Sequence, residues 1–115
     1  MSIHKRLLGA AMALAMGSAA SQALAVTEIQ WWHAMGGELG EKLVKIADDF
    51  NASQSDYKIV PVYKGNYTET LTAAIAAFRA KEQPAIVQVF EVGTATMMAA
   101  KGAVYPVYQL MTDAG

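Results

Sequence analysis

Cysteine is absent from all 115 residues. That excludes disulfides, thiolate metal centres and a thioether-linked lipid anchor, and leaves any exported form to be held together by its core alone. Histidine is scarce as well, with His4 and His33 the two occurrences. His33 has no second His or Cys near it to complete a zinc site, and no serine or cysteine motif beside it to form a hydrolytic triad. Basic residues are not in excess: nine Lys and Arg stand against ten Asp and Glu, for a net charge of −1. Two of the basic residues, Lys5 and Arg6, sit at the start of the chain, so the remainder is more acidic still. This balance disfavours nucleic acid or an anionic membrane surface as partner. No internal repeat, charge block or Pro/Ser-rich linker divides the chain. "GGELG" lacks the G-x-G-x-x-G spacing and a Walker lysine, so no nucleotide site is indicated.

What is present begins with a leader pattern. Lys5 and Arg6 precede an Ala/Leu/Met run from Leu7 to Met16, and Ala23-Leu24-Ala25 fits the small-x-small rule of signal peptidase. Residues 1–25 therefore read as a secretory signal peptide cut after Ala25. The apolar run is shorter than the roughly 20 residues that a spanning helix needs. The expectation is a soluble, unanchored periplasmic protein. Its remaining residues, 26–115, suffice for one modest core.

"VTEIQWWHA" (26–34) is rich in β-branched and aromatic residues and reads as a first strand. After the turn "MGGELG", Leu39, Leu43, Ile46, Ala47 and Phe50 fall on one face of a helix, which ends at the polar stretch "NASQSD". "YKIVPVYK" (57–64) is a second strand, and Pro61 within it predicts an edge position, because proline cannot donate a ladder hydrogen bond. Leu71, Ala74, Ile75 and Phe78 keep helical spacing up to a stop at Pro84. "AIVQVFEV" (85–92) reads as a third strand, apolar enough to be covered on both faces. A short helix, a break at Gly102 and an Ala/Val/Tyr/Leu segment follow. Alternating strands and helices imply crossover connections, hence an α/β fold with a parallel sheet flanked by helices. In such sheets ligands sit outside the carboxyl ends of the strands. Here "WWHAMGGELG", "YKGNYTET" and "FEVGTAT" occupy that rim.

Glu91 stands out there, a carboxylate at the end of an apolar run. It reads either as an acceptor for hydroxyl or amine donors of a ligand, or as a surface charge paired with Lys64 or Lys101. Tyr67, in the Gly65-Asn66-Tyr67-Thr68 connection, offers a flat apolar ring and one donor or acceptor, which suits small polyols; it also fits a packed loop residue. Asn66 or Thr68 is expected to cap the second helix, and Thr94 and Thr96 to cap the next. His33 reads as a hydrogen-bonded strand-end residue. Of the adjacent Trp31 and Trp32, one is expected in the core and one at a cleft or surface, since neighbours on a strand face opposite sides.

Three stretches together, "WWHAMGGELG", "YKGNYTET" and "FEVGTATMM", resemble the solute-binding proteins of ABC importers, extracellular family 1. The second and third resemble its glycerol-3-phosphate-binding branch. The resemblance covers essentially all of residues 26–115. It implies a type II periplasmic binding protein, with two lobes that close on ligand and dock to a membrane permease driven by an ATPase. Members are several times longer, so the chain is expected to be a truncated piece, the first part of the N-terminal lobe, monomeric when complete and without a cofactor.

Two ligand contacts of that family fall on matched positions here, Tyr67 and Glu91. Glu91 is then expected to accept hydrogen bonds from glycerol hydroxyls of sn-glycerol 3-phosphate or a glycerophosphodiester, with Tyr67 beside it. The phosphate is expected to meet arginine, serine and backbone N–H groups elsewhere, because a dianion against Glu91 is repulsive. Trp31 and Ala34 are small departures from the family's opening motif. A maltose-like ligand, or a periplasmic phosphodiesterase using His33 and Glu91, are the alternatives; for the latter nothing supplies a metal or nucleophile, so the expectation is a protein that is not an enzyme.

Overall fold

The computed structural model describes residues 25–115, so the leader expected over residues 1–25 lies outside the described residues but for Ala25. Strand β1 (Thr27–His33) leads through a glycine turn into helix α1 (Gly37–Ser53), then strand β2 (Tyr57–Tyr63) and helix α2 (Tyr67–Ala80). A two-residue strand, β3 (Ile86–Val87), is followed by a 3-10 turn (Glu91–Gly93) and two short helices, α3 (Thr94–Ala99) and α4 (Val107–Ala114). The sheet is parallel throughout with the order β2-β1-β3. One crossover runs left from β1 and the next runs right from β2, so right-handed connections put α1 and α2 on opposite faces. The predicted α/β architecture, a small parallel sheet flanked by helices, is what forms. No helix among the described residues is long and apolar enough to cross a membrane.

Pro61 sits on the edge strand, as its missing N–H requires. The outer edge of β2 is capped by side chains rather than left open. Asn51 of α1 accepts from the Ile59 N–H at 2.7 Å and donates to the Ile59 carbonyl at 2.9 Å. Gln54 does the same for Tyr57, at 2.8 and 2.7 Å. Tyr57, Ile59 and Pro61 alternate along the strand, so all three point their backbone groups outward, and proline removes a donor that β1 never needed. Side-chain caps of this kind block the edge against another chain.

The core is small: Leu43, Ala47 and Ala74 are buried, joined by the polar His33 and Thr70. This narrows the helix face expected for α1. Leu43 and Ala47 meet the sheet, but Leu39, Ile46 and Phe50 are exposed, the first two by 59% and 62%. The strands are few, so the sheet covers one stripe of the helix, and small residues at Gly40 and Ala47 let that stripe approach closely. The two tryptophans depart from expectation in the same way, since both are half-buried and neither is a core residue.

Helix α2 starts with a capping box. The Asn66 side chain accepts from the Glu69 N–H at 3.0 Å, and the Glu69 carboxylate accepts from the Asn66 N–H at 2.7 Å. Such a cap is worth about 1 kcal/mol. The helix ends with Lys81 in the left-handed region, φ 61°, three residues ahead of Pro84.

The third strand is the largest correction. Of the predicted 85–92 run, Ile86 and Val87 alone pair, with Trp31 and Trp32. The ladder stops because β1 stops: past His33 the chain turns into α1, and no strand backbone remains for Val89 and Phe90 to pair with. Ile86 is also exposed rather than covered on both faces.

Candidate functional site

The sheet reverses direction of travel between β1 and β3, and in open α/β sheets the crevice above such a point, at the strand carboxyl ends, is where ligands sit. Here that crevice is tied shut at its base. The Ala34 N–H donates to the Gln88 side-chain oxygen at 2.9 Å, and the Gln88 N–H donates to the Trp32 carbonyl at 2.9 Å. Tyr67 opens α2 and lays its ring on Phe90, centroids 5.2 Å apart and planes 24° apart. Phe90 is the residue before Glu91, so this stack brings the second and third rim segments together. Tyr67 remains 37% exposed.

Glu91 does not sit on the strand. It opens the 3-10 turn, four residues past the end of β3, and is exposed. Among the described residues no hydrogen bond or ion pair engages its carboxylate, although its backbone carbonyl accepts from the Thr94 N–H. Lys64, one of its two expected surface partners, holds its ammonium over the Trp32 ring instead, 3.9 Å from the centroid. The Val-Gly-Thr that follows Glu91 has a packing reason. Gly93 is buried, and a β-carbon there would lie 3.0–3.2 Å from Val89, Leu71 and Phe90. The turn that presents Glu91 is thereby seated directly on α2. Thr94 and Thr96, expected as caps, make no side-chain cap bond; Gly93 itself occupies the N-cap position of α3.

His33 is the strand-end residue anticipated, buried to 4% exposure. Its Nδ1 accepts from the Met35 N–H at 3.3 Å, so the neutral ring carries its proton on Nε2. The Thr70 hydroxyl, on α2 and fully buried, lies 3.5 Å from the His33 carbonyl oxygen. Burial holds the His33 pKa below its ordinary 6.5. The folded state then binds this proton less readily than the unfolded chain. The contribution is fully present above about pH 6.5 and is lost as pH falls toward the folded value. The unfolding free energy is therefore expected to fall between pH 7 and pH 5.5, by less than about 1.4 kcal/mol per pH unit. Urea melts of the native chain and of His33→Asn check this, and a variant with the same slope as the native chain would show that another group is responsible.

A second feature lies at the same end of the sheet but on the α1 side. An open depression of about 690 Å³ is lined by residues including His33, Met35, Glu41 and Tyr63. It contains neither Tyr67 nor Glu91. Gln88, Phe90, Thr70 and Tyr63 went unremarked in the sequence. The available signal was Gln88, one polar residue interrupting an apolar run; nothing local distinguishes Tyr63 from any other strand-end tyrosine. Among the described residues no group of three or more His, Asp or Glu is gathered as a metal site.

No protein-family model matches the chain. Individual proteins do. The sn-glycerol-3-phosphate-binding periplasmic protein UgpB of Yersinia pestis bv. Antiqua (strain Antiqua) is 59% identical over 113 residues, which is 98% of this chain and 25% of that protein. Its namesake in Yersinia enterocolitica is 57% identical over 113 residues, again 98% and 25%. In Salmonella typhimurium (strain LT2) the figures are 56% over 114 residues, 99% and 25%. The chain thus spans about a quarter of the length of the relatives it matches. Along nearly all of that span it is a sequence relative of the sn-glycerol-3-phosphate-binding periplasmic proteins.

Proposed function

We propose that this chain is the first part of the N-terminal lobe of a type II periplasmic solute-binding protein, exported by a leader over residues 1–25. The complete protein captures sn-glycerol 3-phosphate, or a glycerophosphodiester, and hands it to a membrane permease powered by an ATPase. It binds its ligand without chemical change. The observation that carries this reading is the 59% identity over 98% of the chain to a protein named for that ligand and compartment. The exposed, unengaged Glu91 beside the Tyr67–Phe90 stack supports it, because a carboxylate and a phenol at the strand carboxyl ends suit the hydroxyls of glycerol. The phosphate is held by groups outside this quarter.

A chimera tests the proposal. Residues 26–115 are grafted in place of the matched quarter of the Yersinia pestis relative, and the product is titrated calorimetrically with sn-glycerol 3-phosphate and with maltose. Binding of the phosphate ester within about tenfold of the parent protein, and none of maltose, is expected. A chimera that keeps its far-ultraviolet dichroism but binds maltose, or neither compound, overturns the assignment.

A further inference from the structure

Tyr67 is held through its backbone and, separately, through its ring. It is the first residue of α2, and the Asn66–Glu69 capping box fixes the backbone around it. The side-chain torsions are not set by that cap, and among the described residues no hydrogen bond holds the phenol hydroxyl. What directs the ring is the surface it lies on, Phe90, with centroids 5.2 Å apart and planes 24° apart. Aromatic pairs prefer an offset geometry and contribute beyond the area they bury, so the Phe90 ring favours one staggered orientation of Tyr67 over the others.

Phe90 is itself seated. It is half-buried, and its ring edge lies against Gly93, where a β-carbon would come 3.2 Å from Phe90 Cε1. Gly93 has φ −84° and ψ −11°, a conformation that does not call for glycine, so the residue supplies space. Phe90, Leu71 and Val89 take up that space. Leu71 belongs to α2, so Phe90 is packed where the helix that carries Tyr67 meets the turn that carries Glu91. Its side chain is a hydrocarbon with no hydrogen-bond donor or acceptor for a polar ligand. Any effect on recognition passes through the groups it holds.

We propose, resting on the ligand assignment under Proposed function, that Phe90 is a positioning residue of the binding site. Its ring, seated on Gly93, fixes the direction in which the Tyr67 phenol meets sn-glycerol 3-phosphate.

The test is a double-mutant cycle in the full-length chimera, titrated calorimetrically with sn-glycerol 3-phosphate. Phe90→Leu keeps an apolar side chain against Gly93 and removes the stack. It is expected to weaken binding about 2- to 10-fold, the range set by the one neutral hydrogen bond that a misdirected phenol gives up. In the Tyr67→Phe chimera, which has no hydroxyl to direct, the same substitution is expected to cost less than about 1.5-fold. Phe90→Tyr keeps a ring for the stack and is expected to bind within about twofold of the parent. Phe90→Met repeats the cycle with a second ringless side chain, so that the result does not hang on the folding of one variant.

Proton NMR of the full chain follows the orientation itself. The Tyr67 ring protons, shifted by the facing Phe90 ring, are expected to move toward free-tyrosine positions in Phe90→Leu and to stay in place in Phe90→Tyr. An equal loss of affinity with and without the Tyr67 hydroxyl would mean that Phe90 merely stabilises the turn. That result, an unchanged affinity in Phe90→Leu, or Tyr67 ring signals indifferent to Phe90→Leu would each overturn the proposal. A parent chimera that does not bind the phosphate ester overturns the ligand assignment and this role together, and is told apart from the other outcomes because it shows before any substitution is made.

Discussion

Replacing Glu91 with alanine in the full-length chimera is expected to cost most of the affinity for sn-glycerol 3-phosphate while leaving the protein folded. The two effects separate because of where Glu91 lies. It is exposed at the first position of a 3-10 turn; its backbone carbonyl accepts from the Thr94 N–H, while no described residue forms a hydrogen bond or ion pair with its carboxylate. The turn is held instead by Gly93 against Leu71 and Phe90, and alanine disturbs none of these contacts. The ligand side is different. A hydrogen bond to a charged acceptor contributes about 1.5–3 kcal/mol, so one lost bond weakens binding roughly 10- to 100-fold, and two lost bonds by more. Tyr67→Phe makes the companion measurement. It preserves the stack on Phe90 and removes one neutral hydrogen bond, for an expected loss of about 2- to 10-fold. Calorimetric titration of both variants decides the matter, and an unchanged affinity in Glu91→Ala would remove this carboxylate from the site.

The second large effect concerns the turn between β1 and α1. Glycine inside a helix normally costs about 0.5–1 kcal/mol relative to alanine, so Gly40→Ala ought to stabilise α1. Here the opposite is expected. A β-carbon at Gly40 would lie 2.7 Å from the Met35 carbonyl oxygen, closer than real contacts allow, and the obstacle is backbone. Relief requires the turn to move, and the turn carries the Met35 N–H that bonds His33 Nδ1. Overpacking of this kind costs about 1–3 kcal/mol, which outweighs the propensity gain. A net loss of stability in urea melts is expected, with a disturbed His33 imidazole signal. A gain in stability would mean that the turn yields more easily than its packing implies.

Much of the secondary structure was legible because it rests on local rules. The periodic apolar residues of α1 and α2, the proline of the edge strand, the Asn66 cap and the break at Gly102, whose φ is 76°, all act within a few residues along the chain. The resemblance was legible too, carried by three short motifs at the strand carboxyl ends. Three things were not. The run from Ala85 to Val92 has the composition of a strand, yet pairing needs a neighbour, and β1 ends too early to supply one. Thr94 and Thr96 have the chemistry of caps, but the chain enters α3 directly from the 3-10 turn, so Gly93 takes that position. Leu39, Ile46 and Phe50 share a face with Leu43, but how wide a stripe is covered depends on how many strands lie beneath it.

The sequence by itself determined the order of strands and helices, the edge position of β2 and the two residues proposed to meet ligand, since each follows from neighbours in the chain or from a motif. The tertiary structure decided which groups face each other across the sheet. It joined Tyr67 to Phe90, tied Ala34 to Gln88, and set His33 beside Tyr63. Those contacts link residues on different elements, fixed by strand register and by the opposite placement of α1 and α2. No local pattern encodes such a meeting, because it exists only once the crossovers have closed.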